Sequence, residues 1–370
     1  MYESKLGEFM DYSVNDRLSK LIFIELKDLT VLKKINSNLY KKLEGKEVLF
    51  PVDLKMVTDK ENPKRSDLTM DKFFVGMLLC IGGNEEFIYN VYYEEIILDF
   101  DSSQEFYKGY IYSLIQKNEL FEAYIMLKGL SKIYFNDEYK EKLIVVLFNL
   151  KDKSDFLNYE FKLQIEDAIK NYRNFNKAYL YKSMMERDDG NYILALESID
   201  TYIKKSNDGE NEEIKNYRKQ LISYKNYEDG KEKIYSSPKE ALEKLIPLTD
   251  IFNNDALLYY YIAIACRKLE MYEQAIYYLE CSRKIDIDIV EVVNEIGLNY
   301  ASLNMYDKAI NYFETVFKVT NAVEVCTNII MCYFKLNEIE KMNKYFNIAR
   351  SINKDDEVLK ELENFILGMR

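Results

Sequence analysis

The side chains that could do chemistry here are carboxylates, thiols and phenols, because the chain contains no histidine. That absence removes Ser-His-Asp and Cys-His nucleophilic systems, imidazole-ligated zinc and the commonest general base. The five cysteines, Cys80, Cys266, Cys281, Cys326 and Cys332, are odd in number and include no Cys-x-x-Cys pair. They read as reduced, mostly buried thiols of a cytosolic protein. Adjacent carboxylates occur at Asp188-Asp189 and Asp355-Asp356, both at predicted turns, where acidic side chains cap helices. Asp286 and Asp288 could offer oxygens to calcium, but no loop with the required glycine and closing glutamate surrounds them. Gly82-Gly83 has neither the lysine nor the spacing of a phosphate-binding loop. The sequence therefore predicts no catalytic residue, no metal site and no cofactor, and points away from an enzyme.

The elements that carry these residues are predicted to be helices. Of 370 residues, 48% are hydrophobic and 31% charged, enough for a large core and too apolar for disorder. With 12 glycines and 4 prolines the chain is poor in breakers, which favours helices joined by short polar turns over a β-rich fold. The net charge of −12 repels nucleic acid and anionic lipid. The most basic stretch, with Lys33, Lys34, Lys41, Lys42 and Lys46, is diluted by Asp28, Glu44 and Glu47 and reads as a solvated helix face. The N-terminus lacks an apolar core of signal-peptide length. The longest apolar run, 256–266, is 11 residues and too short to span a bilayer. A soluble, cytoplasmic protein without nucleic-acid or membrane partners is the expectation.

Self-similarity is the main organising signal. Glu-Met-Tyr-Glu-Gln-Ala-Ile at 270–276 aligns with Asn-Met-Tyr-Asp-Lys-Ala-Ile at 304–310 and with Asn-Glu-Ile-Glu-Lys-Met-Asn at 337–343. Ala275 and Ala309 lie 34 residues apart, and 34 back from Ala275 is Ala241. In 256–289 the repeated slots hold Tyr259, Ile262-Ala263, Cys266, Ala275 and Leu279. In 290–323 they hold Val293, Ile296-Gly297, Tyr300, Ala309 and Phe313. In 323–356, shifted by one residue, they hold Cys326, Ile329-Ile330, Tyr333, Met342 and Phe346. Small residues let the two helices of a unit approach, and large apolar ones fill the space between units. Most of the 33 tyrosines fall at such slots and serve packing first.

A 34-residue helix–turn–helix period of this pattern resembles the tetratricopeptide repeat. The terminal proline of that family is missing in all three copies (Ile287, Asn321, Lys354), so each turn must close by other means. Earlier copies are weaker. Residues 104–137 match through Tyr107, Tyr110-Ile111, Leu114, Ala123 and Leu127. Residues 176–206 keep Gly190-Asn191-Tyr192 and Ala195-x3-Ile199, with Lys182 and Glu186 in apolar slots. Residues 212–253 keep only a second helix, and 138–173 read as a helix pair without the signature. The resemblance implies an all-α, right-handed solenoid and a protein- or peptide-binding scaffold. Bacterial peptide-sensing regulators of the Rap type share the architecture and supply an alternative reading, a sensor without a DNA-binding domain.

The domains expected are a mostly helical N-terminal domain over 1–100, repeats over 101–356 and a capping helix over 357–370. Val14, Leu18, Ile22, Leu29, Leu32, Leu39 and Leu43 have helical spacing, with Ser13 and Asp16 as a cap and Gly45 as a stop. One long helix is predicted there. A short extended segment follows at 48–52, then a polar loop over 58–67. A helix pair at about 69–81 and 85–98 comes next, split by Gly82-Gly83-Asn84. Leu359, Leu362, Phe365 and Ile366 would form the covered face of the last helix.

In this register the first helices of the units line the concave side of the solenoid. They present Leu257, Tyr260, Tyr261 and Ile264, then Glu291, Asn294, Glu295 and Leu298, then Glu324, Thr327, Asn328 and Met331. Tyr260, Tyr261, Asn294, Glu295 and Asn328 are the candidate ligand-binding residues. The two amides could each pair with a peptide backbone, the tyrosines could hold an apolar side chain, and the glutamates would favour a basic ligand. The resemblance adds an exclusion. The Lys and Arg set that clamps a C-terminal carboxylate in chaperone-binding relatives is missing here, so a chaperone tail is not the ligand implied.

Overall fold

The computed structural model describes residues 13–25, 37–58, 69–100, 103–206 and 211–368. Within them the chain is helical apart from one two-stranded antiparallel sheet. It divides into two compact units between Asn211 and Glu212.

The first unit opens with α1 (Val14–Ser19), β1 (Leu21–Glu25), α2 (Ser37–Leu43), β2 (Leu49–Asp53) and α3 (Leu54–Thr58). Ser13 caps α1 by accepting from the Asp16 amide at 3.3 Å, and Gly45 takes φ +77° after α2. No single helix joins that cap to that stop, contrary to the sequence expectation. Ile22-Phe23-Ile24 is a continuous β-branched and aromatic run, which fits a strand better than a helix. It pairs antiparallel with β2, placing Phe23 opposite Pro51. The spacing of Val14, Leu18 and Ile22 misleads because a helix ending at Ser19 also satisfies its first step. Leu29 and Leu32, on which the long-helix reading also rests, lie outside the described residues, as does most of the predicted polar loop.

Two helices follow, α4 (Met70–Gly83) and α5 (Asn90–Asp99), and then a further pair, α6 (Ser103–Gln116) and α7 (Leu120–Ile133). Ten consecutive residues of α4, Phe73 to Gly82, are buried. A Cβ on Gly82 would lie 1.9 Å from the Ile125 carbonyl oxygen, so α4 and α7 cross with their backbones in contact. One core runs without a break from Leu21 to Ala178. The boundary expected near residue 100 is therefore not there. Gly82 read as turn punctuation in the sequence, whereas it is the close-packing point that joins the N-terminal segment to the first repeat. The unit continues through α8 (Asp137–Leu150), α9 (Asp155–Asn171), α10 (Lys177–Asp188) and α11 (Tyr192–Lys205). Lys182 and Glu186, which break the apolar pattern, pair at 3.6 Å, and buried Glu186 accepts from the Ser198 hydroxyl at 2.6 Å.

The second unit comprises α12 (Glu212–Lys233), α13 (Pro238–Leu245), α14 (Ala256–Lys268), α15 (Tyr272–Ile285), α16 (Val290–Ser302), α17 (Tyr306–Thr320), α18 (Val323–Lys335), α19 (Ile339–Ile352) and α20 (Glu357–Gly368). Each helix from α12 to α19 packs on the next, and α20 packs on α18. Ala263, Ala275, Ala309 and Met342 are all buried at the repeated slots. The tight turns inside the pairs α14–α15, α16–α17 and α18–α19 each carry a left-handed residue, Glu270 (φ 62°), Asn304 (φ 59°) and Asn337 (φ 58°), as do Asn118 and Gly190 in the first unit. The turns between pairs close without proline. Asp286 and Asn353 accept from the backbone amides two residues on, at 3.0 and 3.1 Å, and Asn321 ends α17 in the left-handed conformation. In α20, Leu359 and Ile366 are buried against α18 and α19. Phe365 is 46% exposed and does not belong to that covered face.

Candidate ligand-binding groove

A groove of about 290 Å³ lies between α16 and α18, with the end of α17 as its floor. Tyr260, Glu291, Asn294, Glu295, Glu324 and Asn328 line it, together with apolar Val290, Val316 and Val325. Four of the five candidate residues thus meet in one place. The helical repeat explains this. In the repeat register Asn328 takes the position that Glu295 holds in the preceding first helix, and Asn294 stands one position earlier, next to it on the groove side.

Tyr261 is not in that groove. Its ring packs edge-on against Tyr227 of α12 at 6.2 Å, with the Lys231 ammonium 5.6 Å from its centre. One residue earlier, Tyr260 points to the groove, since neighbouring helix positions diverge by about 100°. Burial, with the nearby carboxyls of Glu295 and Glu291 adding to it, pushes the Tyr260 hydroxyl up to about 12. It is a neutral donor at ordinary pH.

Glu295 is not the free acid that spacing implied. It is 9% exposed, and its Oε2 lies 2.7 Å from Nε of Arg267 on α14. Burial pushes its carboxyl above the usual range, although Arg267 pulls the other way. A cation 28 positions earlier in the chain was invisible to a reading of one helix face. Asn294 differs again: its Oδ1 is buried and has no hydrogen-bond partner among the described residues. Leaving a buried acceptor unpaired costs about 1–3 kcal/mol. Glu291 and Glu324 are exposed at the rim and form no ion pair among the described residues.

A second groove of about 300 Å³ continues along α16 and α18 toward their C-terminal ends. Asn328 lines both, and the second is walled by Arg267, Leu298, Ala301, Phe313, Met331 and Lys335. Leu298 and Met331 were on the predicted face. Arg267 and Lys335 were not, because they sit in the last turns of their helices, where a basic residue ordinarily reads as a dipole partner.

Several other residues singled out in the sequence have structural partners. Asp188 accepts from Lys151 at 2.8 Å, Asp189 from Lys162 at 2.8 Å, and Asp356 caps α20 through the Leu359 amide at 2.9 Å. Lys42 pairs with Asp99 at 3.3 Å and Lys46 sits 4.6 Å above the Tyr92 ring; Lys33 and Lys34 lie outside the described residues. Burial pushes the thiols of Cys266 and Cys326 up to about 11 and those of Cys80 and Cys332 to about 12, far from reactive thiolates. Among the described residues no group of three His, Cys, Asp or Glu side chains is placed to hold a metal ion, and no helix is long and apolar enough to cross a membrane.

In the first unit, Arg17 was not singled out. It is 7% exposed. It reaches both Glu122 carboxylate oxygens, at 3.0 and 2.9 Å, and also pairs with Asp53. These bonds tie α1 to β2 and α7. Arg17 also lines a cleft of about 630 Å³ in which Lys20, Lys55 and Lys153 are balanced by Asp16, Glu119 and Glu122.

No family model matches the chain, and no curated protein matches it. Among solved structures it is similar to YrrB, described as a TPR protein with an unusual peptide-binding site. Identity there is 17% and the TM-score 0.40, over 54% of this chain and 97% of that one. It is also similar to MamA, at 18% identity and a TM-score of 0.37, over 48% of this chain and 90% of that one. A third is a thermophilic TPR protein of Thermus thermophilus. Identity is 16% and the TM-score 0.33, over 52% of this chain and 98% of that one. The fold is an all-α solenoid of tetratricopeptide type. Its own helix pairs say so: a 34-residue spacing from Ala275 to Ala309, small residues at the crossings and a left-handed residue in the turns at 270, 304 and 337.

Proposed function

We propose that the chain is a protein- or peptide-binding scaffold, that it binds rather than catalyses, and that its second unit holds the ligand along α16 and α18. One observation carries this reading. The groove collects Asn294, Asn328 and Tyr260, and the Asn294 Oδ1 is a buried acceptor with no partner among the described residues. A side-chain amide offers a donor and an acceptor side by side, which matches a peptide unit. An extended ligand backbone between Asn294 and Asn328 would satisfy the orphaned oxygen once the Asn294 amide turns toward the groove. Tyr260 adds a neutral donor and an aromatic wall. The acidic rim of Glu291 and Glu324 favours a basic partner over an acidic one.

The test is the double change Asn294→Ala with Asn328→Ala, measured on a partner captured from a cell extract. Each lost hydrogen bond is worth about 0.5–1.5 kcal/mol, so affinity should fall by about tenfold, with helical content and melting retained. Unchanged affinity in a folded double variant would remove this groove as the binding face and direct attention to the first unit.

A further inference from the structure

We propose that the two adjoining grooves form one polarised channel, and that it selects an extended peptide with a cationic side chain at one end, an anionic side chain at the other and an apolar one between. This rests on the groove reading above and adds the ligand's chemistry and direction. The grooves share Asn328 and follow one another between α16 and α18, from the N-terminal to the C-terminal ends of those helices. Glu291 and Glu324 stand at the N-terminal end. Lys335 stands at the C-terminal end, beside Arg267. None of Glu291, Glu324 and Lys335 forms an ion pair with another described residue. Leu298 and Met331 supply the apolar stretch between them.

These end charges also offset the dipoles of α16 and α18. That role leaves the side-chain heads in solvent, where a ligand can reach them. Glu295 does not share in this, because Arg267 already neutralises it. It forms the partition between the two grooves, with its carboxylate lining one and Arg267 lining the other. Length fixes the ligand. Glu324 and Lys335 are 11 positions apart on α18, about 16 Å at ~1.5 Å rise per residue. An extended chain advances ~3.3 Å per residue. The two charges of the ligand therefore stand about five residues apart.

The probes are four fluorescein-labelled hexapeptides with blocked ends: Arg-Ala-Leu-Ala-Ala-Asp, its all-Arg-ended and all-Asp-ended counterparts, and one with alanine at both ends. Fluorescence anisotropy with the full chain should rank the dipolar peptide first. It should bind about threefold tighter than either like-charged peptide, the worth of one exposed ion pair. Lys335→Glu should move the preference to the peptide with two arginines, and Glu291→Lys with Glu324→Lys to the peptide with two aspartates. Circular dichroism checks that both variants stay folded. Equal binding of dipolar and like-charged peptides, or a ranking that survives Lys335→Glu, overturns the proposal. So does no binding of the dipolar peptide at millimolar concentration. If all four bind equally and Asn294→Ala with Asn328→Ala weakens them all, the groove stands and its polarity falls. If that double change alters neither the peptides nor a captured partner, the groove reading itself falls.

Discussion

Gly297 shows how tightly one residue can hold this fold together. A Cβ at that position would lie 2.6 Å from a ring carbon of Phe313, and Phe313 is 1% exposed. The missing side chain is what lets α16 settle on α17. Gly297→Leu should therefore lower stability by about 3 kcal/mol, at the upper end of overpacking costs. Urea unfolding followed by circular dichroism measures it, and a midpoint equal to wild type would show that the contact is not made. Residues like Gly297, Ala263 and Ala309 were legible in the sequence because a helix crossing constrains size at a fixed period. The spacing argument put Asn294 and Asn328 on the same side of the stack, and both line the one groove. Glu295 was not, because its charge state depends on Arg267, a side chain on another helix with no periodic relation to it. Tyr261 failed through angle: a single step along the helix turned it toward Tyr227.

At the scale of elements, the turn inside each of the three C-terminal pairs repeats as faithfully as the helices do. The segments beginning at 270, 304 and 337 align by sequence, and each begins with the left-handed residue. The alignment was visible, but its cause was not, since Glu270 is a poor advertisement for positive φ. Asparagine and glycine fill this position elsewhere at smaller cost. Glu270→Gly should then raise stability by about 0.5–1 kcal/mol, the relief of left-handed strain less the entropy glycine adds to the unfolded chain. A melting temperature raised by a few degrees would register it, whereas a fall would mean that Glu270 contributes a contact worth more than the strain. The N-terminal elements were the least legible. β1 and β2 stabilise each other across more than twenty residues of sequence, and a local apolar count cannot see a partner that far away.

For the whole chain, the sequence placed the division at the point where the repeat signature begins, and packing places it elsewhere. The repeat signal measures resemblance between units, whereas a boundary measures where buried contacts stop. Gly82 lies against the α7 backbone at Ile125 and Gly129, and Phe74 touches Tyr107 and Phe106, so apolar contact crosses residue 100 freely. A second unit beginning at Glu212 has its own cores around Leu258, Phe313 and Phe346. Two truncations separate these views. Residues 212–370 should fold alone, with strong helical dichroism and a cooperative urea transition, because every buried cluster named for that unit is supplied from within it. Residues 101–370 should keep that transition but lose amide protection over α6 and α7. Removing α4 leaves Tyr107 and the surface around Ile125 and Gly129 facing water. Each fully exposed large apolar side chain costs about 1.5–3 kcal/mol of burial, and α7 keeps chiefly its packing on α6 and α8 against that loss. Hydrogen exchange read by mass spectrometry decides it. Protection over 103–133 equal to that of the full chain would restore the boundary at residue 100.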